Sequence, residues 1–228
     1  MIENPPVLTI HRGHRRPDRA LLEAFRGAQT SHLADAMEGR GAVDWRIKPL
    51  DPANANFVGP ALTAHSYPAD IFGMVGAALE AQAGDVIMCT NEHYTGTAVI
   101  GDLAAGMLHN KGVAAFVTDG LARDRAGIVA AGLPLFAMGI SPNSPASTGP
   151  GQVGAPIILG GVLVCSGDIV VGDADGVVVI AQDQAEHVLA RLRAVQAAEK
   201  TAEEAVKAGA TSFASWHDIH RQARIIPS

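Results

Sequence analysis

Aromatic residues make up only 4% of this 228-residue chain, which has just two cysteines. With so few rings, a core has to be assembled from Ala, Val, Ile and Leu, with 25 glycines available for tight turns. Cys89 and Cys165 stand in the apolar runs DVIMCT and GVLVCSGD without CxxC spacing. Buried, reduced thiols of a cytoplasmic protein are expected, and no disulfide. No stretch of eighteen apolar residues occurs, and MIENPPVLTIHRGHRR has no apolar h-region of a signal peptide. Basic charge is scarce too: 17 Lys and Arg face 23 Asp and Glu, a net charge of −6. A nucleic-acid surface needs a basic patch or stripe. The expectation is therefore a soluble cytoplasmic protein that engages neither nucleic acid nor membrane.

Several catalytic signatures are also missing. None of the nine histidines has HExxH or Cys/His zinc spacing, and no Gly-x-Ser-x-Gly elbow occurs. Neither cysteine is marked as an activated nucleophile. The glycine turn at Gly101-Asp102 matches neither the Rossmann nor the Walker pattern, so nucleotide binding is not indicated.

What is present is 48% hydrophobic and 18% charged, the balance of a globular chain long enough to bury a proper core. Residues 1–16 read as an irregular or extended arm broken by Pro5-Pro6. Short helices are expected over residues 17–28 and from Thr30-Ser31 onward, the second with Leu33, Ala36 and Met37 on one face. Ser31 with Asp35 loosely resembles an N-terminal cap. Residues 57–66 read as a strand with a bend, 71–80 as a helix, 86–89 as a buried strand and 91–97 as a polar loop. Residues 141–154, rich in Ser, Pro and Gly, read as a long surface loop. Residues 156–180 are strongly β, with turns at Gly160-Gly161, Gly167-Asp168 and Asp175-Gly176. One long polar helix is expected over residues 184–208, and the tail from 211 is unassigned. Strands alternate with helices and a strand-only block follows, which points to a mixed α/β single domain rather than a doubly wound sheet.

The chemistry concentrates in residues 101–124, GDLAAGMLHNKGVAAFVTDGLARD. Backbone N–H groups at a helix start near Gly101-Asp102-Leu103 favour an anion, and Arg123 is suited to gripping a carboxylate with two hydrogen bonds. Asp124 beside it supplies oxygen for a hard divalent cation. On the residues alone Arg123-Asp124 reads first as a solvated pair or as a helix-start carboxylate, Asp124 capping the following helix. Asp85, Asp168, Asp173 and Asp175 read as turn-shaping carboxylates. His93, in the loop EHYTG, is the candidate pocket histidine, and Glu199, Glu203 and Glu204 read as a solvated helix face.

The order of GDLAAGMLHNKGV, AAFVTDGLARD, GLPLFAMG and SGDIVVGDADGVVVI resembles the 4-hydroxy-4-methyl-2-oxoglutarate / 4-carboxy-4-hydroxy-2-oxoadipate aldolase family. These pyruvate aldolases use a divalent metal and share a fold with the regulator of ribonuclease activity A. The resemblance spans about residues 31–199. It implies a single compact α/β/α domain over residues 1–183, a C-terminal helix and tail over 184–228, and a homotrimer or homohexamer with sites between subunits. It further implies Mg²⁺ or Mn²⁺ as cofactor and a small oxo-acid as the partner molecule. By position, Asp124 matches the direct metal ligand, and Asp102 a carboxylate reaching the metal through water. Glu199 matches a carboxylate reaching it through water from the neighbouring subunit. Arg123 matches the keto-acid-binding residue, and the backbone at Asp102, Leu103 and Ala104 after Gly101 the carboxylate cradle. Asp35 stands where family aldolases have a Glu from the neighbour. The activity implied is retro-aldol cleavage of a 4-hydroxy-2-oxo-dicarboxylic acid to pyruvate, with accompanying oxaloacetate decarboxylation. A non-catalytic ribonuclease-regulator role, or a related lyase or decarboxylase on another oxo-acid, remains open beside it.

Overall fold

The apolar runs of the sequence become strands buried on both faces. The computed structural model describes residues 6–226. In chain order the strands are β1 (Leu8–Ile10), β2 (Lys48–Pro49), β3 (Phe57–Ser66), β4 (Val86–Thr90), β5 (Ala98–Ile100), β6 (Ala115–Thr118) and β7 (Leu121–Ala122). They continue with β8 (Leu135–Ala137), β9 (Gly139–Ile140), β10 (Gly151–Val153), β11 (Ile157–Leu159), β12 (Val162–Val164), β13 (Ile169–Asp173) and β14 (Gly176–Ile180). The helices are α1 (Arg19–Ala24), α2 (Thr30–Ala36), α3 (Phe72–Glu80), α4 (Asp102–Asn110), α5 (Arg125–Ala131), α6 (Ala185–Lys207) and α7 (Ala214–Arg221).

The central sheet runs β1-β10-β3-β4-β6-β8-β2, and β3, β4, β6 and β8 are mutually parallel. Parallel neighbours need crossovers, and α3, α4 and α5 supply them. Because side chains alternate along a strand, each central strand feeds two cores. Ile87 and Cys89 of β4, Phe116 of β6 and Leu135 of β8 face the layer of α3, α4 and α5. Val86, Met88, Val117 and Phe136 face the opposite layer, closed by Val43, Ile47 and the β11–β12 hairpin. β13 pairs antiparallel with β3 and with β14, carrying a third core in which Ile169, Val171 and Val178 meet Phe25, Leu33, Val188 and Leu192. The helices of the crossovers thus stay on one face, as expected for a mixed α/β domain rather than a doubly wound one.

Cys89 is fully buried and burial pushes its thiol up to about 12, so it is an inert core side chain. Cys165 is free and half-buried.

Three local expectations change. Part of the N-terminal arm is a strand: β1 pairs in parallel with β10, which itself lies in the expected surface loop. The Ser31 cap does not form. Gln29 holds the α2 N-cap position without a side-chain bond, while Thr30 donates from its amide and hydroxyl to Asp173 at 2.8 and 2.7 Å. The unassigned tail contains α7, with Trp216 and Ile219 exposed. Residues 1–5 of the arm and 227–228 of the tail lie outside the described residues.

Candidate active site

α4 begins where β5 ends, and Arg123-Asp124 follows β7, so both arrive on the side where the parallel strands terminate. Open α/β sheets bind ligands there, outside the carboxyl ends of their strands. Gly101 is the N-cap of α4 and offers no side-chain bond to the first turn. A Cβ on Gly101 would stand 3.0 Å from Asp124 Oδ2 and 3.1 Å from Arg123 Nε. Glycine there lets the Arg-Asp pair press onto the helix start.

A cleft of ≈ 270 Å³ opens at this point. Gly101, Asp102, Leu103, Ala104 and Arg123 line it, joined by β5, by Ile71 at the N-cap of α3 and Met74 within it, and by Ser144, Pro145 and Ser147. Arg123 Nε lies 3.2 Å from Asp124 Oδ2, with the side chains 37% and 48% exposed. The guanidinium also donates from Nη1 to Ser144 Oγ. The Leu103 amide donates to Asp102 Oδ1 at 2.7 Å, which leaves the Asp102 and Ala104 amides of the first turn, without intrahelical acceptors, for an incoming carboxylate.

Asp124 has the left-handed backbone φ 59°, ψ 44°. That conformation is uncommon for a residue other than glycine, and such strain collects at functional sites. Asp124 does hold the N-cap position of α5, but its side chain makes no capping bond. Its carboxylate is left half-exposed beside Arg123, which removes the capping alternative.

His93 does not line the cleft. It sits 45% exposed with Nε2 3.8 Å from Asp119 Oδ2, in a loop where Glu92 and His93 are both left-handed. Asp119 is fully buried and accepts from Thr90 Oγ1 at 2.7 Å and the Asn91 amide at 2.9 Å, which fastens that loop. Asp35 on α2 and Glu199 on α6 are exposed, in the layer packed against β13 and β14, and neither lines the cleft of its own chain. Ser144 and Ser147 entered the cleft without any signal in the sequence beyond a polar loop.

Among the described residues no three His, Cys, Asp or Glu side chains converge on a common point. Asp124 is not among the residues that line the cleft but stands beside Arg123 and Gly101, which are. A single half-exposed carboxylate suits a hard cation that keeps most of its water, as Mg²⁺ does. Asp124 and Asp102 fit that role.

A one-sided α/β sheet, with a glycine-led helix start and an Arg-Asp pair at its carboxyl edge, defines the class to which this chain conforms. The RraA-like family model (Aldolase/RraA) matches residues 30–179, and the chain belongs to that family. A protein of Halalkalibacterium halodurans named "Putative 4-hydroxy-4-methyl-2-oxoglutarate aldolase" is 37% identical over 185 residues, 81% of this chain and 88% of its own length. An uncharacterized protein of Pseudomonas syringae pv. tomato superposes with a TM-score of 0.76 at 28% identity, covering 87% of this chain and 97% of its own. The RNA-processing inhibitor RraA from Thermus thermophilis superposes at 0.61 and 26% identity, covering 67% of this chain and 92% of its own. Among the described residues no helix is long and apolar enough to cross a membrane.

Proposed function

We propose that the chain is a divalent-metal-dependent lyase that cleaves a 4-hydroxy-2-oxo-dicarboxylic acid by a retro-aldol reaction, releasing pyruvate. The observation that carries this reading is the convergence of Arg123, Asp102 and the α4 start in one cleft, with the strained Asp124 against Arg123 and Gly101. The name of the Halalkalibacterium halodurans relative supports the same class.

Asp124 would hold Mg²⁺ or Mn²⁺ directly and Asp102 through water. When bound, the metal supplies Lewis-acid stabilisation of developing negative charge on the keto oxygen. Arg123 grips the substrate through planar oxygens and stabilises the same charge, a role for which a two-pronged donor is suited. The first-turn amides of α4 receive the substrate carboxylate. C3–C4 cleavage gives the enolate of pyruvate and a carbonyl fragment. Asp102, the carboxylate that lines the cleft, takes up the C4 hydroxyl proton through water and returns it to C3 of the enolate, giving pyruvate. Oxaloacetate decarboxylation passes through the same enolate and accompanies the aldol activity.

The active form is a homotrimer or homohexamer in the cytoplasm, with Glu199 and Asp35 of an adjacent copy completing the cleft. The first half of α6 packs on its own domain through Val188 and Leu192, and residues 193–226 pack on that domain or on that neighbour. The test is a panel of 4-hydroxy-2-oxo acids and oxaloacetate, with Mg²⁺ or Mn²⁺ and pyruvate release as readout. No release from any member would sink the lyase reading. It would leave the second reading, a ribonuclease-binding regulator, which is favoured by the likeness to the Thermus thermophilis inhibitor.

A further inference from the structure

We infer that Ser144 is a positioning residue, a fixed hydroxyl acceptor that holds the Arg123 guanidinium in the orientation that receives the substrate. This deepens the lyase reading and rests on it.

Ser144 is exposed and lies in an irregular segment, yet its backbone is pinned on both sides. On one side Asn143 accepts from the Ala98 amide at 3.0 Å and donates from Nδ2 to the Gly96 carbonyl at 3.0 Å. On the other, the Ala146 amide donates to the Ala69 carbonyl at 2.6 Å. Just beyond, the buried Asp70 carboxylate accepts from the Thr148 amide at 2.7 Å, the Gly149 amide at 2.9 Å and the Phe72 amide at 2.8 Å. The segment is therefore fastened both to the start of β5 and to the start of α3, two of the elements that wall the cleft. Between those anchors, Ser144 Oγ accepts from Arg123 Nη1, while Asp124 Oδ2 faces Nε.

Arginine carries large rotamer entropy, and a side chain ordered before binding loses less on binding. With Nε and Nη1 both engaged, the fork is set before substrate arrives. The hydroxyl, accepting from a cation, keeps its own proton free to donate.

The test measures oxalate binding in Mg²⁺ by calorimetry, alongside pyruvate release, for wild type, Ser144→Ala and Ser144→Thr. Ser144→Ala should weaken oxalate by about two- to tenfold, the range expected for ordering one long side chain, and raise KM more than it lowers kcat. Ser144→Thr, which keeps the hydroxyl, should restore most of both. In an Arg123→Lys background, Ser144→Ala should cause no further loss, because the group it positions is gone. Unchanged oxalate affinity in Ser144→Ala, no rescue by threonine, or an equal loss in both backgrounds would overturn the assignment. Should Ser144→Ala fail to fold, Ser144→Gly read against Ser144→Thr makes the same comparison, with equal affinities refuting the role. Failure of the lyase reading is told apart because wild type would then bind oxalate without releasing pyruvate from any substrate.

Discussion

Gly127 of α5 and Asp102 of α4 are packed so closely that a Cβ on Gly127 would stand 2.5 Å from Asp102 Oδ2 and 2.6 Å from Asp102 Cβ. Only glycine lets α5 come this near the carboxylate. Gly127→Ala would gain roughly 1 kcal/mol of helix propensity but lose about 1–3 kcal/mol to overpacking. Its stability should change by about 2 kcal/mol or less in a denaturant melt, while Asp102 is driven from its place and kcat/KM falls at least about tenfold. Gly106 of α4 is the control, since a Cβ there meets nothing within 4 Å. Gly106→Ala should stabilise by roughly 1 kcal/mol with turnover unchanged. Full activity in Gly127→Ala would show that the placement of Asp102 is not used.

Arg123 and Asp124 touch, yet they should separate in a binding experiment. Asp124→Ala removes the proposed direct ligand, so Mn²⁺ binding and metal-dependent turnover should both be lost. Arg123→Lys should bind Mn²⁺ normally and lose most turnover, because an ammonium is a point charge that cannot grip planar oxygens at two points. Calorimetric Mn²⁺ titrations and pyruvate release measure the two effects. Wild-type turnover in Arg123→Lys would contradict the two-point grip.

Asp70 sets an acid limit on the wall of the cleft. Burial pushes its carboxyl up, but the amides of Thr148, Phe72 and Gly149 and the Thr148 hydroxyl outweigh that, leaving it below its ordinary value. A depressed folded pKa contributes stability above the unfolded pKa of about 3.9, lost as pH falls through the folded value. Protection of the Thr148 and Gly149 amides, taken relative to their intrinsic exchange rates, should therefore fall only below about pH 4. Asp70→Asn leaves a neutral amide among these donors and should cost about 1–3 kcal/mol at neutral pH. Equal stability of Asp70→Asn and wild type at pH 7 would show that the carboxylate does not fasten the segment.

What could be read from the sequence follows from how local the determining physics is. β4 and β6 announced themselves because VIMC and AFVT are buried on both faces and so are continuously apolar. α4 and the loop after β7 were legible through glycine turns and through side chains suited to anions and cations. β1 and β10 were not, since three-residue strands show no period: β1 exists only by pairing with β10, Leu8 opposite Gly151, and β10 by lying between β1 and β3. The start of α2 was misread for the same reason. Its partner Asp173 lies 143 residues away, and only the folded sheet brings it to Thr30. Ser144 and Asp70 had no motif at all, because a hydroxyl and a buried carboxylate acquire their roles from what the fold sets around them.

Glu199 tests whether the cleft is completed across subunits. It is exposed on α6, beyond Leu192, the last fully buried residue of that helix, and Val195, which is partly buried against the same core. As a plain surface charge, Glu199→Ala would change stability by less than about 0.5 kcal/mol and leave activity alone. As a carboxylate orienting water at a neighbour's metal, its loss would cost roughly 10–100-fold in affinity or activity. We predict normal folding, assembly as trimer or hexamer by light scattering, and activity at least several-fold lower at limiting metal. Mixing Glu199→Ala subunits with Asp124→Ala subunits should then recover activity. In a mixed ring some interfaces pair an intact Asp124 on one copy with an intact Glu199 on the next. A within-chain site predicts no such gain, since every chain then carries one lesion. Mixed oligomers with proven subunit exchange, yet no more active than the mean of their parents, would exclude the shared site, as would a monomer at micromolar concentration.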